Sequence, residues 1–181
     1  MTNTSALTAG TAPPRTVPAT AWVPAAVAGV AAIGLALYQV ASPDGPAPTY
    51  SSVSDWTREG LFAGYLAGAI AAALVARRAG LAPRVAGLVP LGYLLVLVGV
   101  TAGMVLREDP DWFVVLGGPG VLLSTIGFVA WGVVGWRRGL LPGSVALLAG
   151  LGGPLGILGS ELGLSVLLAG FWLWLAARLR A

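Results

Sequence analysis

Long uncharged stretches alternate with short polar segments along the whole chain. The clearest stretch runs from Trp112 to Trp136, with Asp111 before it, the pair Arg137-Arg138 after it and no charge inside it. An uncharged, mostly apolar run of about 18 or more residues is typical of a helix that spans a membrane. Similar runs precede and follow this one. The pattern predicts six transmembrane helices, at about 21–41, 60–76, 85–106, 112–136, 140–159 and 161–177.

The polar segments indicate the domain organisation. Residues 1–20 are rich in Thr, Ala and Pro and predict a flexible cytoplasmic tail before a single membrane domain at 21–181. A cleaved signal peptide is the alternative for the first apolar run, but its apolar region would have only about 7–15 residues. The expected fold is all-α, a polytopic helical bundle. The boundary between spans five and six is open, since residues 152–154 fit either a break inside span five or the following turn.

Arginine is distributed unequally between the two sides of this bundle. Six spans place both termini and the turns at 77–84 and 137–139 on one side, and those segments carry eight of the ten arginines. All seven acidic residues fall on the other side. Because short loops rich in arginine stay in the cytoplasm, the N- and C-termini are both predicted to be cytoplasmic.

Composition agrees with the apolar pattern. Hydrophobic residues make up 57% of the 181 residues and charged residues only 9%, against about 25% charged residues in soluble domains. The expected partner is the lipid bilayer. A further partner would be another membrane protein or a second copy of this chain. The chain is basic, but it contains no lysine and its arginines are scattered at span ends. That distribution is not a phosphate-binding surface, so no nucleic acid is expected.

Several kinds of chemistry are excluded by residues that the chain lacks. It contains no cysteine and no histidine, which excludes disulfides, thiolate- or imidazole-bound metals and catalysis by either side chain. The polar groups inside the predicted spans are hydroxyls and the amide of Gln39, whereas proton and ion pathways need buried charged groups. We therefore expect no cofactor, no metal and no enzymatic activity.

Glycines line one face of the second predicted span. Gly60, Gly64 and Gly68 are spaced by four residues, which places them on the same side of a helix. Small residues in this arrangement let a neighbouring backbone approach closely in a membrane. The neighbour is either another helix of this bundle or the same face of a second copy.

Two glycine–proline segments are expected to interrupt spans four and five. Proline removes a backbone donor and clashes with the carbonyl four residues before it, and in lipid the freed groups need partners. We expect regular helix to be lost in the first segment and the two segments to face each other or a shared cavity. The alternative is two kinks that only help the helices to pack. The segments are Gly117-Gly118-Pro119-Gly120 and Gly152-Gly153-Pro154.

Three further polar residues complete the candidate ligand site. Ser124 and Thr125 lie one turn further into span four than the first segment. Glu161 stands at the predicted outer end of span six. There it is either a helix-start acid, favoured by the helix dipole, or a ligand-binding group at the membrane edge.

The order of sequence features around span four is similar to that of a group of known proteins. Asp111-Trp112, an apolar span, the Trp136–Pro142 sequence Trp-Arg-Arg-Gly-Leu-Leu-Pro and a pair of Ala/Leu/Gly-rich spans follow one another. This order resembles uncharacterised small multi-pass membrane proteins of high-GC bacteria. The resemblance implies the cytoplasmic (inner) membrane of a bacterium and carries no activity, cofactor or catalytic residue.

Two functions remain open from the sequence. The first is a membrane protein without catalytic machinery that acts as an accessory, assembly or packing-based subunit. The second is a carrier or binding protein for a small apolar or lipid-like ligand. A ligand-sized cavity lined by Ser124, Thr125 and the two glycine–proline segments would favour the second function. A large exposed Gly/Ala face would favour the first.

Overall fold

The computed structural model describes residues 18–41, 51–108, 110–159 and 162–181, and every regular element among them is a helix. Residues 1–17 of the tail predicted at 1–20 therefore lie outside the described residues. Ser160 and Glu161 also lie outside them. A 3₁₀ turn at Arg84–Gly87 leads directly into the third helix. The α-helices are α1 Val23–Ala41, α2 Val53–Arg78, α3 Leu88–Leu106, α4 Phe113–Arg137, α5 Gly143–Gly150, α6 Gly152–Leu158 and α7 Ser165–Arg180.

Helix α2 begins two turns before the apolar run that predicted it. Ser52 is its N-cap, because the Ser52 side chain accepts a hydrogen bond from the backbone N–H of Asp55 at 3.1 Å. The Asp55 carboxylate in turn accepts from the backbone N–H of Ser52 at 2.9 Å, which completes a capping box. The helix therefore starts seven residues before Gly60, where the predicted span begins. Hydropathy missed the first turns because they are polar.

The two Arg-Arg turns end their helices in the same way. Gly80 follows α2 and Gly139 follows α4, with φ of +77° and +67°. After each glycine, a leucine N–H reaches back to the carbonyl five residues earlier, Leu81 to Ala76 at 2.9 Å and Leu140 to Gly135 at 2.8 Å. This is the Schellman bond pattern, and its left-handed position favours glycine. The two turns thus share a conformation as well as a sequence pattern.

The helices form a closed ring in which each packs against the next and α7 packs against α1. At one end of the α1–α7 pair the guanidinium of Arg180 lies 5.5 Å from the centre of the Trp22 ring. Further along the pair, Ser165 Oγ donates to the carbonyl of Ala32 at 3.3 Å. These two contacts show that α1 and α7 run antiparallel. The ring surrounds an interior to which all seven helices contribute buried residues.

Glycines set the distances between several neighbouring helices. A Cβ added at Gly92 of α3 would lie 2.4 Å from the Gly120 carbonyl of α4, and one at Gly68 of α2 would lie 2.9 Å from the Ala28 nitrogen of α1. Backbones therefore touch at these points, as small residues allow in membrane helices. Gly60 and Gly64 differ from Gly68, because a Cβ at either would have no neighbour within 4 Å. Of the predicted glycine face, only Gly68 packs against another helix within the described part of the chain.

Fully buried aromatic rings fill one half of the interior. Phe128 and Trp131 come from α4, and Phe171 and Trp172 from α7. Their ring centres lie 5.0–6.5 Å apart, mostly edge to face. This geometry is favourable for aromatic pairs. We refer to these four residues as the aromatic cluster. Trp131 Nε1 also donates to the Leu81 carbonyl at 3.3 Å, so the cluster lies toward the Arg-Arg end of the ring.

The outer surface of the ring is apolar. Large apolar side chains such as Val30, Leu94, Leu122 and Leu147 are exposed on four different helices. Such a surface is incompatible with water and suited to lipid. In the described residues, four segments are long and apolar enough to cross a membrane: Val23–Ala41, Val53–Arg78, Arg84–Leu106 and Phe113–Arg137. The protein is therefore an all-helical protein with apolar helices of membrane-spanning length.

The last third of the chain departs from the predicted spans. The predicted span 140–159 is two short helices, α5 and α6, separated at Leu151. The predicted span 161–177 begins later, because α7 starts at Ser165 after a turn in which Gly163 has a φ of +74°. Helices of 16 residues are about 24 Å long, less than the roughly 30 Å hydrocarbon core. Helices α5, α6 and α7 are thus shorter than the four segments of membrane-spanning length.

Candidate functional site

Helix α4 is continuous through its glycine–proline segment. The helix runs from Phe113 to Arg137 with Pro119 inside it, so the predicted loss of regular helix at 117–120 is wrong. Proline removes one hydrogen bond and crowds one carbonyl, whereas an irregular segment would leave several backbone groups without partners in lipid. Continuing the helix therefore costs less than breaking it.

The glycines of this segment have separate roles. Gly120 packs against the Gly92 carbonyl and Val96 of α3, and Gly117 packs beside the Phe113 ring. Gly118 is exposed, as is Pro119, and a Cβ added at Gly118 would have no neighbour within 4 Å. One side of the segment thus faces the neighbouring helix, and the other reaches the perimeter of the ring.

The second glycine–proline segment is a break inside span five. Gly152 and Gly153 open α6 directly after the interruption at Leu151, and both are buried. A Cβ on Gly153 would lie 2.4 Å from Phe128 Cβ, and one on Gly152 would lie 3.3 Å from Leu167 Cβ of α7. The two segments therefore do not face each other, because the second one packs on the aromatic cluster and on α7.

The half of the ring away from the aromatic cluster encloses a cavity of about 360 Å³. Every helix except α5 contributes to its wall. The lining is apolar apart from four hydroxyl-bearing side chains. The lining residues are Leu35, Phe62, Tyr65, Leu66, Tyr93, Val96, Phe113, Val114, Gly117, Gly118, Val121, Ser124, Gly156, Ile157, Ser165 and Leu168.

The inner end of the cavity is closed by aromatic side chains. Tyr93 lines the cavity, and its ring centre lies 5.9 Å from that of Phe128 in the aromatic cluster. Tyr65 packs edge to face on Tyr93 at 5.6 Å, and their hydroxyls share a hydrogen bond. Both tyrosines are almost completely buried. These two phenols therefore form the floor of the cavity.

The cavity reaches the exterior along the first half of α4. Val114 and Gly118 line the cavity and are also exposed. They lie four residues apart, on one face of α4. Ile157 of α6 is a further lining residue and is half-buried. The opening of the cavity is therefore at Val114 and Gly118.

The predicted site residues divide into three groups. Gly117, Gly118 and Ser124 lie on the cavity wall, whereas Pro119, Gly120 and Thr125 belong to the same helix but do not line the cavity. Thr125 Oγ1 is buried and has no hydrogen-bond partner among the described residues. The segment at 152–154 lies beside the cluster, and Glu161 lies outside the described residues.

Sequence reasoning missed three polar residues of the cavity as members of one site. Tyr65, Tyr93 and Ser165 come from three different helices, and the ring brings them to the same wall. The only signal for them in the sequence was the presence of hydroxyls inside apolar runs. In the described residues no three His, Cys, Asp or Glu side chains lie close enough to hold a metal ion.

Comparison with protein-family models, with curated proteins and with solved structures gives no match for this chain.

Proposed function

We propose that this chain is a membrane protein that holds a small apolar or lipid-like ligand in the cavity between its helices. The observation that carries the proposal is an apolar cavity of about 360 Å³ that reaches the exterior at Val114 and Gly118 of α4. Ligand cavities are about 300–1,000 Å³ and mostly apolar, with a few polar groups that orient the ligand. This cavity has both properties.

The size and charge of the cavity narrow the class of ligand. None of the described residues that line the cavity is charged, and an ion without a partner is very costly in such surroundings. The volume is near the lower end of the usual range, so the cavity suits one end of a lipid-like molecule. The remainder of that molecule would extend through the opening into the bilayer. The proposed role is binding or carriage without catalysis, cofactor or metal.

A substitution at the opening tests ligand binding. Leucine at Gly118 meets no atom within 4 Å of its Cβ and would extend its side chain into the opening. We expect Gly118→Leu to fold normally and to lose most of the lipid that the wild-type protein retains in a gentle detergent. The measurement is mass-spectrometric quantification of lipid extracted from equal amounts of each purified protein.

Gly64→Leu is the matched control. Gly64 also lies inside a helix with no neighbour within 4 Å of its Cβ, but it does not line the cavity. The control should retain as much lipid as the wild type. Lipid that only coats the protein surface is then present in equal amounts in the samples and does not change the difference between them. Equal lipid in all three proteins would contradict the proposal.

One observation favours the accessory-subunit function as a second candidate. Gly60 and Gly64 present an open glycine face on α2 that no described helix of this chain covers. In a membrane such a face suits close contact with another helix, from another membrane protein or from a second copy. The mass of the protein–detergent particle, measured for wild type and Gly64→Leu, separates the two functions. If Gly64→Leu no longer associates but still retains its lipid, the glycine face binds a partner and the cavity binds a ligand.

The proposal includes a topology of six crossings with both termini in the cytoplasm, in the inner membrane of a bacterium. Contacts near the arginine-rich segments support it, because Trp131, six residues before Arg137, donates to the Leu81 carbonyl at 3.3 Å and its ring centre lies 6.1 Å from that of Trp172 in α7. Reporter fusions after Arg84, Gly139 and Ala181 should therefore all report the cytoplasm, and a fusion within 42–54 should report the outside. A cytoplasmic signal from the 42–54 fusion would reject this orientation.

A further inference from the structure

The hydroxyls on the cavity wall are not equally available to a ligand. Ser124 Oγ donates within its own helix, to the carbonyls of Gly120 at 2.9 Å and Val121 at 3.0 Å. Ser165 Oγ donates to the carbonyl of Ala32 on α1. Each serine has a single proton, and each proton already has an acceptor. The serines therefore offer no free donor to the cavity.

The two tyrosines have one proton more than they have acceptors. A single hydrogen bond joins the hydroxyls of Tyr65 and Tyr93, and it uses the proton of one of them. The other phenolic proton has no acceptor in the described part of the chain. The indole N–H of Trp172 is buried and has no hydrogen-bond partner among those residues. It is a further donor and cannot accept the spare proton.

We infer that the ligand carries a carbonyl oxygen at the end of an apolar body, and that this oxygen accepts the spare phenolic proton at the cavity floor. The inference rests on the proposed function and specifies the ligand class. A buried donor without an acceptor costs free energy, and both tyrosines line the cavity. A ligand acceptor removes that cost. The two tyrosines are thus specificity-determining residues for the polar end of the ligand.

The surroundings select a neutral acceptor. A carboxylate would bring a charge to a wall whose described residues carry none, and such a charge is strongly disfavoured there. A pure hydrocarbon would fill the volume but leave the spare proton unpaired. A neutral carbonyl satisfies both conditions. It occurs in lipid esters and in quinones that carry an apolar chain, and the experiment distinguishes these two sources.

The test compares three probes of similar length on the whole protein in detergent. Methyl dodecanoate supplies an ester carbonyl, tetradecane supplies the same length without an acceptor, and decyl-1,4-benzoquinone supplies a quinone carbonyl. Binding is measured as the ligand-dependent rise in thermal midpoint, from which a dissociation constant follows. A second readout is the infrared stretch of ¹³C-labelled ester carbonyl, which shifts to lower wavenumber when the oxygen accepts a hydrogen bond.

Wild-type protein should bind at least one carbonyl probe about three- to tenfold more tightly than tetradecane, the ratio expected from one hydrogen bond. The better of the two carbonyl probes identifies the source of the ligand. The double variant Tyr65→Phe/Tyr93→Phe keeps both rings but removes both hydroxyls, so the preference should disappear. In the variant, the carbonyl stretch of bound ester should return to its unbonded position.

Tyr38→Phe is the control, because the Tyr38 hydroxyl bonds to Ser54 and does not line the cavity. It should behave as the wild type. Equal binding of carbonyl probes and tetradecane by wild type would overturn the inference and leave the proposed function standing. A preference that persists in the double variant would also overturn it. Failure of all three probes to bind would reject the proposed function itself.

Discussion

Replacing Trp131 with alanine should lower the free energy of unfolding by about 3 kcal/mol or more. Truncation of a buried Trp or Phe to Ala usually costs roughly 3–5 kcal/mol. Trp131 is fully buried and contacts Phe128, Phe171 and Trp172 through ring faces and edges. The loss consists mainly of packing, because lipid is as apolar as the core and transfer between them contributes little. Unfolding by SDS titration in mixed micelles measures the change.

The same helix supplies the control. Trp136 is 63% exposed, whereas Trp131 has no exposed surface. Trp136→Ala should therefore change the free energy of unfolding by about 0.5 kcal/mol or less, as surface substitutions usually do. A third variant, Trp131→Phe, keeps much of the ring but loses the hydrogen bond to Leu81, and it should cost less than Trp131→Ala. Equal costs for Trp131→Ala and Trp136→Ala would mean that the aromatic cluster does not stabilise the fold.

A single methyl group at Gly92 should also destabilise the protein. The new Cβ would lie 2.4 Å from the Gly120 carbonyl oxygen and 2.6 Å from the Ser124 nitrogen, both backbone atoms of α4. The backbone of a helix cannot move aside as the end of a flexible side chain can. The two helices α3 and α4 must therefore move apart to accommodate the methyl group. Overpacking of this kind costs about 1–3 kcal/mol and occasionally more. The SDS titration measures Gly92→Ala as well.

Gly118→Ala is the paired control on the facing helix, because its Cβ would meet nothing within 4 Å. Alanine is a better helix former than glycine by up to about 1 kcal/mol, so this variant should be as stable as the wild type or slightly more so. Similar losses of stability for Gly92→Ala and Gly118→Ala would contradict the close contact between α3 and α4.

The helices themselves were largely predictable from the sequence. Apolar runs place α3 and α4 within a few residues of their observed ends, because in lipid a long uncharged segment must pair its backbone groups as a helix. The start of α2 was less visible, since Val53–Glu59 is polar and outside the run. A capping box between Ser52 and Asp55 determines that start. Local hydrogen bonding, which hydropathy does not measure, therefore decided the boundary.

The cavity was only partly predictable. In a water-soluble helix the polar face identifies the outside, but here both faces of α4 are apolar and lipid does not favour either one. Gly117 and Gly118 were identified as site residues because glycine and proline are conspicuous in an apolar run. Tyr65 and Tyr93 were visible as isolated hydroxyls, yet nothing in the sequence indicates that they pair. Their meeting depends on the rotation of α2 and α3 about their axes, which packing contacts such as Gly92 with Gly120 determine.

The contact between the last helix and the first has a consequence for the order of events during synthesis. The hydrogen bond from Ser165 to Ala32 joins positions 133 residues apart, and the same two helices complete the wall of the cavity. Ribosomes deliver about 5–20 residues per second, so α1 is made many seconds before α7. During that time Gly29 lacks its neighbour Leu173, and the carbonyl of Ala32 lacks the hydrogen bond from Ser165. This side of α1 is therefore completed only when the last helix has been synthesised.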